Sequence, residues 1–358
     1  MVDSKSSIIV VTGPTGCGKT ALAIELAQKV AGEIINADSV QVYKYFNIGS
    51  AKPAEAQLKA VPHHLISILE PEEDFNVGIF YSLAVKKIKE LSAAGKVPII
   101  TGGTGLYIQS LIHGLAEIAD ISEVAKQKLQ EQENEILKAL NGQDKINEKF
   151  KLELHNFLST LDKTVADVIK AGDISRVRRA ILVKLSNDKS ILSYQQSHGH
   201  KSKNYNAFII ILIPQRDLVY HLINARVDEM LQFGFLEEVE TLKQKYSARI
   251  SQIKPFSSIG YKQLLQFKDK LFDYSTAVEK IKQETRRYAK RQFTWWRNQP
   301  SKLGWQNILE SESLIYNYDS LDFKKIAEDI SKLYNTYLAS LNLGQGITIN
   351  FLPVKILL

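Results

Sequence analysis

The sequence predicts an α/β fold in which a parallel sheet core carries a mostly helical insertion domain. Strand-like and helix-like patterns alternate over the first ~110 residues, and this alternation is typical of parallel α/β layers. A glycine-rich segment separates the first predicted strand from the first predicted helix. Strand patterns then disappear between 116 and 200, where apolar residues recur at helical spacing.

The positions of the apolar residues predict the order of the elements. Short apolar runs predict strands at 8–12, 33–37, 97–101 and 206–213, and we expect the last of them to rejoin the first sheet. Amphipathic patterns predict helices at 21–30, 81–94, 106–111, 218–232, 236–245 and 276–297. The predicted parts are 1–115, the first part of the core; 116–200, the helical insertion; 201–310, the rest of the core with basic and aromatic helices; and 311–358, a C-terminal helix and tail without an assigned role.

The composition is that of a globular protein with a basic surplus. The 358 residues are 44% hydrophobic, and the net charge is +7 with an isoelectric point of about 9.1. A positive surplus favours polyanionic partners, although a generally lysine-rich composition would give the same value. The distribution of the cations is therefore more informative than their sum.

Cysteine usage and the apolar runs near the two ends bear on the compartment. Cys17 is the single cysteine, which excludes an internal disulfide and a cysteine-based zinc site and favours a cytoplasmic location. The apolar runs at 8–11 and 347–358 are too short for a signal peptide or a membrane span. We therefore expect no membrane partner, and we interpret the second run as a docked or frayed tail.

Residues 13–20 match the phosphate-binding pattern G-x-x-x-x-G-K-[ST] between a predicted strand and a predicted helix. Backbone N–H groups of such a loop face phosphate oxygens, and the helix N-terminus adds partial positive charge. Lys19 supplies a point charge, and the Thr20 hydroxyl can bind Mg²⁺. The loop predicts a P-loop NTPase-like core. Its predicted phosphate ligands are Gly13, Pro14, Thr15, Gly16, Cys17, Gly18, Lys19 and Thr20.

The usual companions of a phosphate loop in a kinase are missing. No hydrophobic strand ends in an acidic pair, and no arginine-rich lid is evident. Asp38 instead follows the second predicted strand, where a carboxylate would face the ligand crevice of a parallel sheet. The alternative interpretation of Asp38 is a helix N-cap.

Two further clusters lie close to predicted strands. The turn 102–105, Gly-Gly-Thr-Gly, follows a strand and could place Thr104 in the same crevice, although a plain tight turn would give the same pattern. His63 and His64 are not expected to bind zinc, because adjacent side chains diverge and no third ligand is evident.

The segment 285–297 combines five cations with four aromatic residues on a predicted helix. Cations bind phosphates and aromatic rings stack on bases, so we predict an RNA-binding surface that includes Arg287 and Arg291. The alternative is a solvated helix with an aromatic core face. A second basic cluster lies near the end of the insertion and contains Arg176, Arg178 and Arg179.

Together these residues resemble the tRNA dimethylallyltransferase family from about residue 8 to residue 298. The phosphate loop is generic, but its combination with several other segments is specific. These segments are Asp-Ser-Val-Gln-Val-Tyr at 38–43, Ile-Gly-Ser-Ala-Lys-Pro at 48–53, Pro-His-His-Leu at 62–65, Gly-Gly-Thr-Gly-Leu-Tyr at 102–107, Gly234, Glu238 and Val239, Ile-Gly-Tyr-Lys at 259–262, and 285–297.

The resemblance implies transfer of a dimethylallyl group from dimethylallyl pyrophosphate to the exocyclic N6 amine of adenosine 37 of tRNA. It also implies a requirement for Mg²⁺ and the release of pyrophosphate. Asp38 would accept the amine proton, and Thr104 would hydrogen-bond at the reaction centre. Lys19, Thr20 and the loop amides would hold the pyrophosphate, assisted by Arg226. The implied tRNA contacts are Asp38, Ser39, Val40, Gln41, Thr104, Arg176, Arg179, Arg287 and Arg291. We expect a monomer.

The sequence also departs from the family pattern and leaves other functions open. Ser175 stands where the family usually has Gln, and Lys163 stands where a Pro often follows the Asp. The alternatives are an isopentenyltransferase acting on free adenine nucleotides, a P-loop small-molecule kinase and a non-catalytic P-loop RNA-binding protein. The helical insertion argues against the first and the missing lid against the second. Retention of the proposed catalytic residues argues against the third.

Overall fold

The sheet core and the helical insertion form two compact units. The computed structural model describes residues 6–115, 120–141, 147–198, 205–298, 313–315, 322–342 and 351–357. One unit combines Met1–Gly114 with Ser202–Leu358, and the other is Leu115–Lys201. The chain therefore leaves the sheet core once and returns to it.

The described strands form one parallel sheet with the order β3-β2-β4-β1-β5-β7-β6. They are β1 (Ser7–Thr12), β2 (Gly32–Asn36), β3 (His63–His64), β4 (Val97–Gly102), β5 (Asn206–Ile213), β6 (Ser313–Ile315) and β7 (Phe351–Leu357). β5 pairs with β1, which confirms that the strand after the insertion rejoins the first sheet. The terminal apolar run is docked as β7 beside β5, while 347–350 and 358 lie outside the described residues.

Helices cover both faces of the sheet and build the insertion. They are α1 (Lys19–Lys29), α2 (Glu55–Ala60), α3 (Val77–Ala93), α4 (Gly105–His113), α5 (Glu123–Ala139), α6 (Glu148–Leu161), α7 (Lys163–Ala166), α8 (Ile174–Asn187), α9 (Ile191–His198), α10 (Arg216–Gln232), α11 (Phe235–Tyr246), α12 (Tyr261–Lys268), α13 (Tyr274–Asn298) and α14 (Phe323–Asn342). Two 3₁₀ turns follow α11, at Ser247–Gln252 and Lys254–Ser257. None of the helices in the described ranges is long and apolar enough to cross a membrane.

Strand side chains alternate between two cores. Ile8 and Val10 of β1 pack in the core formed with α3, α4, α11, α12 and α13, whereas Ile9 and Val11 pack with α1 and α14. Because both faces are covered, the inner strands are continuous apolar runs rather than alternating ones. This pattern is why the strands at 8–12, 97–101 and 206–213 could be predicted.

The insertion has an apolar core of its own, formed mainly by α5, α6 and α8. The helix α8 carries the second basic cluster. Arg178 pairs with the buried Glu133 of α5, whereas the side chains of Arg176 and Arg179 are exposed. Arg176, which also pairs with Asp173, and Arg179 therefore face solvent, where an anionic partner can reach them.

Three functional segments meet at one edge of the sheet. The carboxyl ends of β1, β2 and β4 lie side by side, since β4 separates β2 from β1. The phosphate loop follows β1, Asp38 follows β2, and Thr104 follows β4. Parallel sheets bind ligands outside the carboxyl ends of their strands, so this edge is the expected site.

Candidate active site

The phosphate loop has a backbone that depends on its glycines. φ is 147° at Gly13, 82° at Gly16 and 83° at Gly18, values that residues with side chains rarely adopt. A Cβ at Gly18 would also lie 2.5 Å from the Cζ of Phe323 at the start of α14. Because α1 begins immediately after the loop, the loop amides and the helix N-terminus are close together.

Lys19 is folded into this loop. Its Nζ donates to the carbonyl oxygen of Pro14 at 2.6 Å and lies 3.9 Å from the Sγ of Cys17. Desolvation lowers the pKa of Lys19; Cys17 opposes this change, Arg226 adds to it, and Asp38 opposes it. Burial raises the pKa of the Cys17 thiol, which fits a small structural residue rather than a redox group.

Asp38 stabilises the turn that follows β2 and does not cap a helix, because the next helix, α2, begins only at Glu55. Its Oδ1 accepts hydrogen bonds from the N–H groups of Val40 at 2.8 Å and Gln41 at 3.1 Å. Asp38 also lines the cavity at the sheet edge. Within the described residues its second oxygen, Oδ2, makes no hydrogen bond, so one oxygen fixes the carboxylate while the other can serve a ligand.

Gln41 holds a neighbouring loop rather than lining the cavity. Its Nε2 donates to the carbonyl oxygens of Ser50 and Ala51, both at 3.0 Å. Both amide protons are therefore used in holding the segment that contributes Ser50 and Ala51 to the cavity lining. Ser39 and Val40, in contrast, line the cavity directly.

Thr104 lies beside Tyr288 of α13, and Tyr288 also feels the charge of the Asp38 carboxylate. The Oγ1 of Thr104 is buried without a hydrogen-bond partner among the described residues. Burial and the negative charge of Asp38 raise the pKa of Tyr288 to about 12, although the nearby Thr104 hydroxyl opposes this change, and the phenol is protonated at neutral pH. An unpaired buried hydroxyl beside a phenol is suited to a polar ligand.

The cavity has a volume of about 360 Å³ and is lined by residues of two chemical kinds. We call the first group the polar lining: Thr15, Asp38, Ser39, Arg226, Thr285, Tyr288 and Arg291. We call the second group the apolar lining: Ile223, Val227, Met230, Phe235, Ile259 and Ile281. Charged groups next to apolar side chains suit a ligand with an anionic head and a hydrocarbon chain.

Arg226 and Arg291 bring positive charge to this cavity. Arg226 comes from α10, and burial lowers its pKa, although Asp38 and Cys17 oppose that change. Arg291 is exposed on α13, and its guanidinium Cζ lies 5.7 Å from the centre of the Tyr288 ring. Arg287 lies one turn earlier, is exposed, and borders a second and more polar cavity. Both sequence-predicted α13 arginines therefore face solvent.

The aromatic residues of α13 face the protein interior. None of the four is exposed: Phe293, Trp295 and Trp296 pack against the core, and Tyr288 lines the cavity. The expectation that these rings form an exposed stacking surface for RNA bases is wrong, and the alternative of an aromatic core face describes the first three. They face inward because their spacing places them on one side of the helix. The exposed cations on the other side are Arg287, Lys290 and Arg291.

Glu238 is a site residue without a predicted role. Its carboxylate accepts hydrogen bonds from the N–H groups of Asn47 at 3.1 Å, Ile48 at 2.8 Å and Gly49 at 3.2 Å, and from the Tyr261 hydroxyl at 2.6 Å. The carboxylate thereby anchors the loop that reaches the cavity at residues 49–51. A glutamate three residues after the buried Phe235, on the inner side of α11, is the sequence signal for this role.

The residues at the sheet edge fit a Mg²⁺ ion held mainly by phosphate and water. Among the described residues no group of three or more His, Cys, Asp or Glu side chains could hold a metal. Thr20 lies in the first turn of α1. Thr101 Oγ1, on β4 at the position paired with Asn36 of β2, is an oxygen buried without a hydrogen-bond partner among the described residues. Mg²⁺ keeps several waters and takes oxygens from substrate phosphates, so neutral polar groups suffice around it.

The paired histidines extend the sheet as its outermost strand. His63 Nδ1 lies 2.7 Å from the carbonyl oxygen of Val61, and His64 Nε2 lies 2.7 Å from Glu33 Oε2. Both residues belong to β3, the outermost strand, which pairs with β2. Their polar contacts are made with Val61, just before β3, and with Glu33 of β2.

A phosphate loop after β1, a carboxylate after β2 and a partly apolar cavity define a P-loop-like α/β protein. The profile of the IPP transferase family matches residues 41–299, and the chain belongs to this family. The tRNA dimethylallyltransferase of Staphylococcus carnosus is 38% identical over 331 residues, covering 92% of this chain and 100% of that protein. That of Bacillus subtilis is 38% identical over 298 residues, covering 83% and 90%.

Solved structures show the same likeness. The tRNA delta(2)-isopentenylpyrophosphate transferase of Staphylococcus epidermidis has a TM-score of 0.62 and 35% identity, covering 93% of this chain and 100% of that one. A eukaryotic dimethylallyltransferase, studied while acting on tRNA, has a TM-score of 0.65 and 26% identity, covering 85% and 78%. The predicted fold class and the family resemblance are confirmed.

Proposed function

We propose that this protein transfers a dimethylallyl group from dimethylallyl pyrophosphate to the N6 amine of adenosine 37 in tRNA and releases pyrophosphate. The observation that carries the proposal is the cavity in which Asp38 and Arg226 share space with the apolar lining. A kinase needs a phosphate loop and a polar acceptor site, but it has no use for an apolar lining beside the carboxylate. The names of the family relatives support the same reaction.

The leaving group is held by the phosphate loop in this proposal. Loop amides, Lys19 and Arg226 bind the pyrophosphate and stabilise the negative charge that grows on it as the carbon–oxygen bond breaks. Lys19 exchanges the Pro14 carbonyl oxygen for a phosphate oxygen, so that the positive charge of the lysine is paired with an anion. Mg²⁺, bound through Thr20 and phosphate oxygens, would neutralise further charge on the leaving group.

The acceptor amine is activated by Asp38. Nitrogen attacks the allylic carbon, the new carbon–nitrogen bond forms, and the amine proton moves to the carboxylate. The adenine lone pair is delocalised, so a proton acceptor within hydrogen-bond reach makes this attack easier. The bonds from Val40 and Gln41 fix Oδ1, which leaves Oδ2 to take the proton. The unpaired Thr104 Oγ1 would bind the base edge nearby.

The hydrocarbon chain of the donor lies on the apolar lining. Burial of a CH₂ group stabilises by about 0.8 kcal/mol, so these side chains favour a prenyl donor over inorganic phosphate or a nucleotide. They also keep water from the allylic carbon, which would otherwise be hydrolysed. Met230 has an unbranched, flexible side chain that can adapt to the shape of the prenyl group.

The exposed arginines are proposed to bind the tRNA backbone. Arg176 and Arg179 belong to the insertion, and Arg287 and Arg291 belong to α13. Each phosphate contact releases counterions, so binding through them should weaken as salt rises. The target base must leave the loop stack to reach the cavity, at a cost of a few kcal/mol. We further propose a monomer that works in the cytoplasm, where its tRNA substrate is found.

One assay tests the proposal. The protein is incubated with Mg²⁺, dimethylallyl pyrophosphate and either unmodified tRNA with adenosine at position 37 or AMP, and the products are identified by mass spectrometry. The expected result is a prenylated adenosine in the tRNA alone, with a tRNA carrying guanosine at position 37 as the control. Prenylation of AMP but not tRNA would instead show an enzyme for free nucleotides. ATP consumption without prenyl transfer would show a kinase.

A further inference from the structure

Gln292 of α13 joins two active-site segments that are far apart in the sequence. Its Oε1 accepts a hydrogen bond from the N–H of Thr15 in the phosphate loop at 2.8 Å, and its Nε2 donates to the carbonyl oxygen of Gly103 at 2.9 Å. The residue is 6% exposed. One buried amide therefore uses its oxygen on the phosphate loop and its nitrogen on the Thr104 turn.

The turn after β4 is shaped to receive α13. A Cβ at Gly103 would collide with the Nε2 of Gln292, and a Cβ at Gly105 would lie 2.5 Å from the ring of Trp295. Neither glycine has a positive φ, so the close approach of α13 rather than an unusual turn requires them. Thr104 lies between these two contacts, and its backbone is fixed on both sides.

The bonds of Gln292 differ from those of another buried glutamine in the same unit. Gln263 accepts a hydrogen bond from the N–H of Gly260, three residues earlier, and this bond is local to the start of α12. The partners of Gln292 lie 277 and 189 residues away along the chain. An apolar side chain of similar length would fill the same space but would leave both backbone groups without these bonds.

We propose that Gln292 is a positioning residue that sets the separation between the pyrophosphate-binding loop and Thr104. The proposal rests on the proposed function, in which the leaving group lies on the loop and the acceptor base lies beside Asp38 and Thr104. Transfer depends on the spacing of the reacting atoms, and a misplacement of about 1 Å can cost about 10²-fold in rate. Gln292 acts through the backbone of two loops and need not touch either substrate.

The first test replaces Gln292 by methionine, which keeps the length of the side chain and removes both hydrogen bonds. Q292M should lower kcat by about 10- to 100-fold, with KM for tRNA changed by less than about 2-fold. The matched control is Q244M, at an exposed position of α11, which should behave as the wild type. Pyrophosphate binding by calorimetry and thermal unfolding in the same samples report whether loop and fold are intact.

The second test is a double-mutant cycle with Gly103→Ala. The added methyl group would displace the Gln292 amide, so G103A alone should reproduce the kcat defect. In a Q292A background the methyl group has room, and G103A should then cost less than about 2-fold. If Q292M proves too unstable to assay, this cycle and the separate effects on kcat and KM still test the positioning role of Gln292.

Two results would overturn the positioning role. One is a folded Q292M with wild-type kcat, and the other is a cycle in which the G103A and Q292A losses simply multiply. In both cases wild-type prenyl transfer to tRNA would leave the proposed function intact. If the wild type itself transfers no prenyl group to tRNA, the proposed function fails instead, and the Gln292 proposal fails with it.

Discussion

The two linings of the cavity come from different kinds of sequence. Asp38 and Ser39 of the polar lining follow a strand end, and Thr15 lies inside a recognisable motif. The apolar lining instead collects Val227 and Met230 from α10 with residues of α11, α13 and the segment before α12. The polar lining indicates which charged groups of a ligand the cavity can bind. The apolar lining indicates that the ligand also has a hydrocarbon part.

This difference explains how a phosphate loop can serve the transfer of carbon. The loop, Lys19 and Arg226 would stabilise any departing or transferred phosphate group equally well. Only the neighbouring apolar side chains distinguish a prenyl donor from a nucleotide. Changes in the two linings should therefore affect different kinetic constants.

The largest effect is expected at the polar lining. Asp38→Asn keeps the shape of the side chain but removes its basicity, so kcat should fall by at least about 10²-fold with tRNA binding largely intact. Rapid-quench kinetics and a tRNA filter-binding assay measure the two quantities. Asp217→Asn, at an exposed position of α10, is the matched control. Unchanged turnover in Asp38→Asn would show that another group accepts the proton.

A smaller effect is expected at the apolar lining. Met230→Trp fills part of the space for the hydrocarbon chain, so KM for dimethylallyl pyrophosphate should rise by about 10-fold while pyrophosphate affinity stays the same. Steady-state kinetics and calorimetry with pyrophosphate separate these constants. Leu271→Trp, at a position 66% exposed, controls for the larger side chain. An equal loss for donor and pyrophosphate would mean that Met230 does not contact the chain.

Glu238 connects the apolar lining to the loop 47–51, because it lies on α11 with Phe235 and its carboxylate anchors that loop. Glu238→Gln removes the charge that three N–H groups share, so the free energy of unfolding should fall by about 1–2 kcal/mol. Urea unfolding followed by circular dichroism measures this change. Glu237→Gln, exposed on the same helix, should leave the midpoint unchanged. Equal midpoints for both variants would show that the loop does not depend on this carboxylate.

The smallest effect is expected outside the cavity, on the exposed side of α13. Arg287→Ala should weaken tRNA binding a few-fold and reduce the slope of log K against log salt by about 1. Binding titrations at several salt concentrations provide the slope, with Arg249→Ala, an exposed arginine in a 3₁₀ turn, as the control. An unchanged slope would remove this side of α13 from the proposed tRNA surface.

The sequence could predict those parts of the site that depend on local features. The phosphate loop requires glycines at fixed spacing, and Asp38 and Thr104 follow strand ends, so short windows were enough to find them. The apolar lining could not be predicted, because Val227 and Met230 recur at the spacing found in any core helix. Whether such a helix face packs in the core or lines a cavity depends on the elements opposite it, and these elements are distant in the sequence.

The segment 285–297 shows where composition misled the prediction. Interleaved cations and aromatic rings indicated a nucleic-acid surface, but Tyr288, Gln292 and Trp295 are spaced by four and three residues and so share one face. That spacing was the available sign of an inward face. The hydrogen bonds of Gln292 could not be predicted at all, since its partners lie in the first third of the chain.

The contact between Gly18 and Phe323 also bears on the order in which the protein is made. The phosphate loop precedes β5 and α14 along the chain, so it leaves the ribosome before the segments that pack against its strand and helix. The insertion contains a core of residues close in sequence, so it can fold while the sheet is still incomplete. The active site should therefore be completed only after α14 has left the ribosome.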